Sequence, residues 1–340
     1  MTREKGARGG GARPTMADVA RAAGVSTALV SIVMRGVPGA SDETRRRVME
    51  TADELGYVPD QRARKLRQAR SGLLGVVFEL QQPFHGDLVE QLYTAASRGG
   101  YDILLSAVSP SRDERTAVEA LRHERCEAAL LLGSRLNASE LTQVAGKLPA
   151  VLVARRANTA AVGAVRGDDV AGIALAVDHL VSLGHRRIAH IDGADEPGSD
   201  DRRRGFLAAM DHHGLRGSAE VRTGGLTETD GARGMRDLLD REAPPTAVVA
   251  FNDRCATGVL DVLVRSGLNV PGDISVVGYD DSRLAKLPHV HMTTVSQDAG
   301  RLAEAAVSAA LDLISGSAPT ETVLAPRLVV RTTTGPTPQS

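Results

Sequence analysis

Tryptophan is absent, and aromatic residues make up only 2% of the 340-residue chain, as four Tyr and four Phe. A ligand pocket built from this sequence has few ring faces, which limits stacking on a sugar or a base. Cys126 and Cys255 are the two thiols. Each lies in an apolar run without a CxxC partner, so a disulfide framework is not expected and both read as buried, reduced core residues. No run of 18 or more apolar residues occurs, so nothing reads as a membrane span. The N-terminal stretch MTREKGARGGGARPT is basic and Gly-rich and lacks the apolar segment of a secretory signal, so a soluble, cytoplasmic protein is expected. Enzyme fingerprints are missing too: no GxGxxG follows the first strand, and there is no P-loop, GxSxG elbow or HExxH pair. His212-His213 and His289/His291 lack further ligands, so neither a metal nor a cofactor is expected.

Charge of one sign is also lacking overall, at a formal net −1, but it is unevenly distributed. Residues 1–70 hold fourteen Lys/Arg against eight Asp/Glu, a balance of +6, and the remaining 270 residues carry −7. Because screening confines exposed charges to about 8 Å at physiological salt, the N-terminal segment attracts phosphate on its own account.

At 340 residues the chain exceeds a single core, and two or three folding units are expected. From Leu73 onward short apolar runs alternate with amphipathic helical stretches: LLGVVFE, YDILLSA, AALLLG and PAVLVA, then RRIAHID, TAVVAF and ISVVGY. Continuous apolar strands separated by helices mark parallel sheets buried on both faces, here two similar α/β lobes, with Ala154–Asp168 as the first passage between them. A long helix over Gln297–Ile314 ends at Gly316, and a last strand, VLAPRLVVR, precedes a Pro/Thr/Ser tail expected to be disordered.

The basic segment carries the sharpest pattern, MADVARAAGVSTALVSIVMRG. Thr15 and Asp18 form a capping box for a helix from Met16 to about Ala23. Gly24 allows the φ > 0 of a tight turn, and Ser26 can cap a second helix from Thr27 to about Arg35. Val19, Ala20, Ala23, Val25, Val30 and Val33 point inward, the arrangement of a helix-turn-helix. A third helix after Ser41 turns Val48, Ala52 and Leu55 to the same core and carries Arg45, Arg46 and Arg47 near its start. Thr27, Ala28 and Ser31 face outward from the N-terminal half of the second helix, where a recognition helix presents side chains to the major groove. The stretch DQRARKLR that follows is basic and helix-forming but too short to be stable alone.

Together MADVARAAGVSTALVSIVMRG, SDETRRRVMETADELGYVPD and DQRARKL resemble the helix-turn-helix, third helix and hinge helix of the lactose/galactose-repressor (LacI/GalR) family, and the likeness runs on to RLVVR. The resemblance implies an N-terminal all-α helix-turn-helix domain plus an α/β two-lobed core like that of periplasmic binding proteins, with parallel sheets covered by helices. In those terms residues 1–14 are a disordered basic tail, 15–59 the DNA-binding domain, 60–71 the hinge, and 72–332 the effector-binding and dimerisation core. The first lobe would take about 72–165 and 293–322, the second about 166–292 and 323–332, with 333–340 a disordered tail.

By the same resemblance Thr27 and Ala28 occupy the two positions that choose operator bases, beside Ser31. A hydroxyl and methyls favour thymine contacts and DNA shape over bidentate reading. Thr15, Ser26, Arg35 and Thr44 are further DNA-facing positions, and Ile32 departs from the family's usual Arg. In the hinge, Arg62 and Arg64 are further implied DNA contacts, Ala63 would let the helix sit deep in the minor groove, and Leu66 would wedge into the central base step. In the core, Phe84 and His85 after the first strand, Arg155, Arg202 of the RxxGF pattern, Phe251, Asn252 and Asp280 are the implied effector contacts. Arg, Asn and Asp at strand ends suit vicinal hydroxyls, so a monosaccharide, a disaccharide and a nucleoside all fit. Asn252 and Asp280 also stand where helix caps belong.

The expected function is therefore a homodimeric, ligand-responsive DNA-binding transcription regulator. It would act as a repressor of a catabolic operon that leaves a palindromic operator when its effector binds. A solute-binding protein of an uptake system shares the two-lobed core and is the alternative.

Overall fold

The computed structural model describes residues 14–34, 36–57 and 70–338. The chain divides into two compact units, residues 1–70 and 71–340, each of which is described by itself.

In the first unit, α1 (Met16–Ala22), α2 (Thr27–Met34) and α3 (Asp42–Glu54) enclose a core of Val19, Ala20, Ala23, Val30, Val33, Val48 and Ala52. The capping box at the start of α1 is complete. Thr15 Oγ1 accepts from the Asp18 N–H at 3.3 Å, and the Asp18 carboxylate accepts from the Thr15 N–H at 2.9 Å and from its hydroxyl at 2.6 Å. Gly24 takes φ +65° with open space around its α-carbon, so backbone conformation rather than crowding requires glycine there. The axes of α1 and α2 then differ by 106°, within the range of helix-turn-helix pairs. One core residue departs from expectation: Leu55 is 39% exposed. It is the C-cap of α3, and Gly56 at φ +64° reverses the chain so that Tyr57 folds back against the core in its place, its N–H donating to the Ala52 carbonyl.

The second unit holds two six-stranded sheets. The first runs β11 (Glu321–Leu324), β5 (Gly163–Gly167), β4 (Ala150–Val153), β3 (Ala128–Leu132), β1 (Leu73–Glu79), β2 (Asp102–Val108), and every neighbouring pair is parallel. The second runs β12 (Arg327–Val329), β10 (Thr293–Ser296), β9 (Ser275–Asp280), β8 (Ala247–Ala250), β6 (Ile188–Ile191), β7 (Ala219–Arg222). It is parallel except for β12, which runs antiparallel to β10.

Helices cover both faces of each sheet, which is why the central strands are buried throughout. α4 (Pro83–Arg98) and α11 (Ala299–Ile314) pack on one face of the first sheet through Leu88, Leu92, Leu302 and Val307. α5 (Glu114–His123) and α6 (Ala138–Ala145) pack on the other through Leu121 and Leu141. In the second lobe α7 (Asp169–Ser182) and α8 (Ser199–His212) bury Ile173, Leu180 and Phe206, and α9 (Glu228–Leu239) and α10 (Asp253–Arg265) bury Met235, Leu238 and Leu263 on the opposite face. Cys126 and Cys255 are both buried.

The lobe boundaries differ from those read off the sequence. The stretch 163–167 is a strand of the first sheet rather than part of a linker, so the chain first crosses at Asp168. Residues 293–296 belong to the second sheet, and the return crossing falls at Gln297-Asp298. VLAPRLVVR is two strands in different sheets, because Pro326 has no N–H for a ladder and ends the pairing after Leu324.

Residues 333–338, expected to be disordered, instead strap the second lobe. Thr333 is buried; its hydroxyl donates to the Val276 carbonyl at 2.7 Å and accepts from the Thr293 N–H at 2.9 Å. Further along, the buried His185 ring meets the Gly335 carbonyl at 3.1 Å, and the Thr337 N–H donates to Leu183 O at 3.0 Å. Thr333→Val keeps the shape but leaves two buried backbone groups without partners. It should cost about 1–3 kcal/mol in urea unfolding, and a change below a few tenths would show that the strap is not held by this hydroxyl.

Candidate functional site

The C-terminal ends of the strands in both lobes face one cleft, the position where open α/β sheets hold ligands. Its cavity, of about 70 Å³, is lined from the first lobe by Glu79, Gln82, Phe84, His85, Gly133, Arg135 and Ala154, from the second by Glu196, Pro197, Arg202, Leu226, Phe251, Asn252 and Asp280, and at the crossing by Gln297. Pockets that enclose drug-sized ligands hold about 300–1,000 Å³, so a ligand of that size enters only as the lobes part or the lining retracts.

Arg202 sits at the cleft floor and is almost fully buried. Its Nε donates to Asp169 Oδ1 at 2.8 Å and its Nη1 to the Phe251 carbonyl at 2.6 Å. The guanidinium carbon lies 3.6 Å from the Tyr279 ring centroid and 4.6 Å from that of Phe251. Nη2 remains, 4.0 Å from Asp280 Oδ1. Burial works against the guanidinium's charge, but Asp169, Tyr279 and Asp280 outweigh it and push its pKa up.

Asp280, the last residue of β9, takes φ +111°, and Asp281 follows at +54°. Consecutive non-glycine residues with positive φ store strain, here spent on aiming a carboxylate into the cleft. Asp280 Oδ1 accepts from Gln297 Nε2 at 2.7 Å. Burial raises the Asp280 pKa while Arg202 opposes the rise. Behind it Asp253 is raised further by burial and by Asp280, although Ser282 and Thr294 donate to it.

Asn252 caps α10 through Oδ1, which accepts from the Cys255 N–H at 2.7 Å, and this leaves its Nδ2 for the cleft. The cap foreseen for this residue therefore uses only one end of the carboxamide. His85 Nδ1 accepts from the Glu79 N–H at 3.0 Å, which assigns the ring proton to Nε2, beside Gly133. A Cβ at Gly133 would come within 2.9 Å of that nitrogen. Burial lowers the His85 pKa to about 4, so the ring is a neutral N–H donor at physiological pH.

Phe84, His85, Arg202, Phe251, Asn252 and Asp280 are thus brought together. Arg155 is not: its Nη1 donates to the Ser134 and Leu136 carbonyls and ties down the loop after β3. Ala154 at φ +60° turns the chain just before it, so the strand-end rule misplaces this side chain. Sequence reading missed Glu79, Arg135, Glu196 and Gln297. Glu79 closes the LLGVVFE strand and was within reach of the same rule; Gln297 sits on a crossing that no local pattern marks. Ion pairs and hydrogen bonds span the cleft: Arg135–Glu196 at 2.7 Å, Arg156–Asp201 at 3.6 Å, Arg283–Asp87 at 3.1 Å, and Arg254 Nη1 to Gln81 O at 3.1 Å.

In the first unit, Thr27 and Ala28 are exposed on the first turn of α2, and Ser26 Oγ accepts from the Leu29 N–H at 3.2 Å. Ser31 is half-buried, as is Ile32, whose side chain lies against Gly39. Thr44 pairs with the α3 cap Ser41, hydroxyl to hydroxyl, at 2.9 Å. Arg45 Nη2 donates to the Val37 carbonyl at 3.0 Å, while Arg46 and Arg47 are exposed. Arg35, Arg62, Ala63, Arg64 and Leu66 lie outside the described residues. Among the described residues no cluster of three or more His, Cys, Asp or Glu side chains is placed to hold a metal, and no single helix is long and apolar enough to cross a membrane.

Fold and site together define a two-lobed ligand-binding core joined to a helix-turn-helix. Residues 15–60 match the family described as bacterial regulatory proteins, lacI family, and residues 177–334 match the periplasmic binding protein-like domain. The HTH-type transcriptional regulator GalR of Salmonella typhimurium is 33% identical over 325 residues, spanning 93% of this chain and 95% of GalR. Among solved structures, a LacI transcriptional regulator from Rhodococcus is 69% identical over 78% of this chain and all of its own, with a TM-score of 0.78. The lac repressor dimer bound to operator and the anti-inducer ONPF is 29% identical over 95% of this chain and all of its own, with a TM-score of 0.82. The chain belongs to the lacI family of bacterial transcription regulators and is a ligand-responsive DNA-binding protein.

The buried His85 ties stability to pH. In the unfolded chain the ring protonates near its usual value, whereas in the fold it stays neutral down to about 4. The unfolded state therefore binds the extra proton in between, and the stabilisation present above that window is lost as pH falls through it. His85→Gln should flatten the decline in unfolding free energy between about pH 6.5 and pH 5. Equal slopes for parent and variant would contradict the assignment.

Proposed function

We propose that the chain is a homodimeric cytoplasmic repressor. It grips a palindromic DNA site through residues 15–59 and a hinge at 60–71, and releases it when a small hydroxylated effector, a sugar or nucleoside, enters the cleft. The observation that carries this reading is the outer face of α2. Thr27 and Ala28 stand exposed on a capped first turn while Val30 and Val33, one turn on, are locked into the three-helix core. A rigid, exposed helix start is what major-groove reading requires. By family resemblance Thr15, Ser26, Ser31, Ile32, Arg35 and Thr44 would be further DNA contacts, with Arg62, Ala63, Arg64 and Leu66 supplying those of the hinge. The operator-bound dimer of the lac repressor supports both the partner and the two-fold arrangement.

The core reads as the switch. Arg202 Nη2, Asn252 Nδ2 and His85 Nε2 offer donors and Asp280 an acceptor, the mixture that vicinal hydroxyls satisfy. Since the narrow cavity joins both lobes, a ligand that binds one lobe arrangement better shifts the population toward it, and DNA affinity shifts with it. Catalysis and cofactors have no part in this scheme. An uptake protein would share the cleft but has no use for the packed N-terminal unit.

Fluorescence anisotropy of the full chain on palindromes enriched from a random pool tests the proposal. With about 6–10 phosphate contacts, affinity should fall about 10³–10⁵-fold between about 50 and 200 mM salt. A sugar or nucleoside that raises the melting temperature should also release the DNA. Binding that ignores salt, or a pool that yields no palindrome, would reject it.

A further inference from the structure

The charges in the cleft do not balance. Glu79, at the end of β1 in the first lobe, and Glu196, after β6 in the second, converge on a single guanidinium nitrogen: Arg135 Nη2 lies 2.7 Å from Glu196 Oε1 and 3.9 Å from Glu79 Oε2. Asp280 is the third carboxylate in the lining, and the cation nearest to it, Arg202, is already matched with Asp169 at 2.8 Å. Arg135 is therefore the one lining cation left for Glu79 and Glu196, and its side chain is 57% exposed against 17% for Glu196. Burial pushes the Glu196 pKa up, with Arg135 opposing and Glu79 adding to the rise, so its charge is under-compensated.

Three further polar groups of the lining are donors. Gln82 Nε2 is buried without a partner, and Asn252 Nδ2 and the Nε2–H of His85 line the same cavity. A matching ligand supplies oxygen acceptors to these groups and positive charge to the carboxylates.

Building on the cleft as effector site, we infer that the effector is an amino sugar: its ammonium sits between Glu79 and Glu196 in place of the Arg135 guanidinium, and its hydroxyl oxygens accept from Asn252, Gln82 and His85. Because Glu79 and Glu196 belong to different lobes, the ammonium takes over the bridge that Arg135 makes, and binding is coupled to lobe position. Arg135 is thus a competitor for the site, and Glu79 and Glu196 are its specificity determinants.

Titration calorimetry on the full chain at about pH 6.5, where the amine is protonated, tests this with glucosamine, galactosamine and mannosamine. Each is compared with its parent hexose and its N-acetyl derivative. At least one amino sugar should bind about tenfold or more tightly than both neutral counterparts, the margin of one charge-assisted hydrogen bond. Glu196→Gln should remove that preference. Arg135→Ala should strengthen amino-sugar binding, an outcome that a merely structural role for Arg135 would not give. The inference falls if a neutral hexose binds as tightly as its amine, if no amino sugar binds, or if Arg135→Ala weakens binding. A neutral sugar or nucleoside that binds and releases DNA would overturn the amino sugar alone. A ligand that releases DNA yet binds equally to the parent and to Asn252→Ala would overturn the cleft as effector site as well.

Discussion

The second lobe is organised around one buried guanidinium. Taking Arg202 out of water costs several kcal/mol unless its hydrogens and charge are met. They are met by groups from three elements: Asp169 on α7, the Phe251 carbonyl at the end of β8, and Tyr279 and Asp280 at the end of β9, with Arg202 itself on α8. Smallness elsewhere makes the arrangement possible. A Cβ on Gly172 would fall 2.4 Å from Tyr279 Oη, and one on Gly198 would crowd Asp169 and stand near Arg202 Nε. The strand ends that present Asn252 and Asp280 are thereby fixed relative to each other, so half of the cleft is rigid before any ligand arrives.

The other half is set by how the chain crosses between lobes. It does so at Asp168, at Gln297-Asp298 and at Ala325-Pro326, and each crossing is a short irregular link between a strand of one sheet and an element of the other lobe. Few residues then need to change conformation for the lobes to move as bodies. Resistance to that motion comes from polar contacts at the rim, such as Arg156–Asp201 and Arg283–Asp87, whose side chains are partly exposed. Exposed pairs of this kind are worth little individually. The lobes are accordingly held by interactions a ligand can rearrange, against cores it cannot.

This division explains what the sequence made legible. Patterns written within one element were readable: the Thr15–Asp18 box, Gly24 at the turn, the inward Val19, Val30 and Val33, and the apolar strands with their ends at the cleft. What failed depended on partners distant in the chain. Thr333 looked like part of a polar tail because Val276 and Thr293, which satisfy it, are some forty to sixty residues away. The strand at 163–167 and the split at Pro326 are decided by which sheet has an open edge. Arg155 looked like a ligand contact by position, but the positive φ of Ala154 turned it toward carbonyls of its own lobe.

Ile32 shows how the same distinction bears on DNA reading. Read against the family pattern it is a lost guanidinium, but its side chain rests on Gly39 and is half-buried. The loop after α2 is held from the other side by Arg45, which donates to Val37 O. Ile32 therefore supports the loop after α2. The proposed base-contacting role then rests on Thr27 and Ala28, which are exposed and together offer one hydroxyl and two methyl groups. In that proposed role such a surface would distinguish thymine methyls and groove shape better than it would distinguish guanine from adenine, and its selectivity would lean on how readily a DNA site deforms.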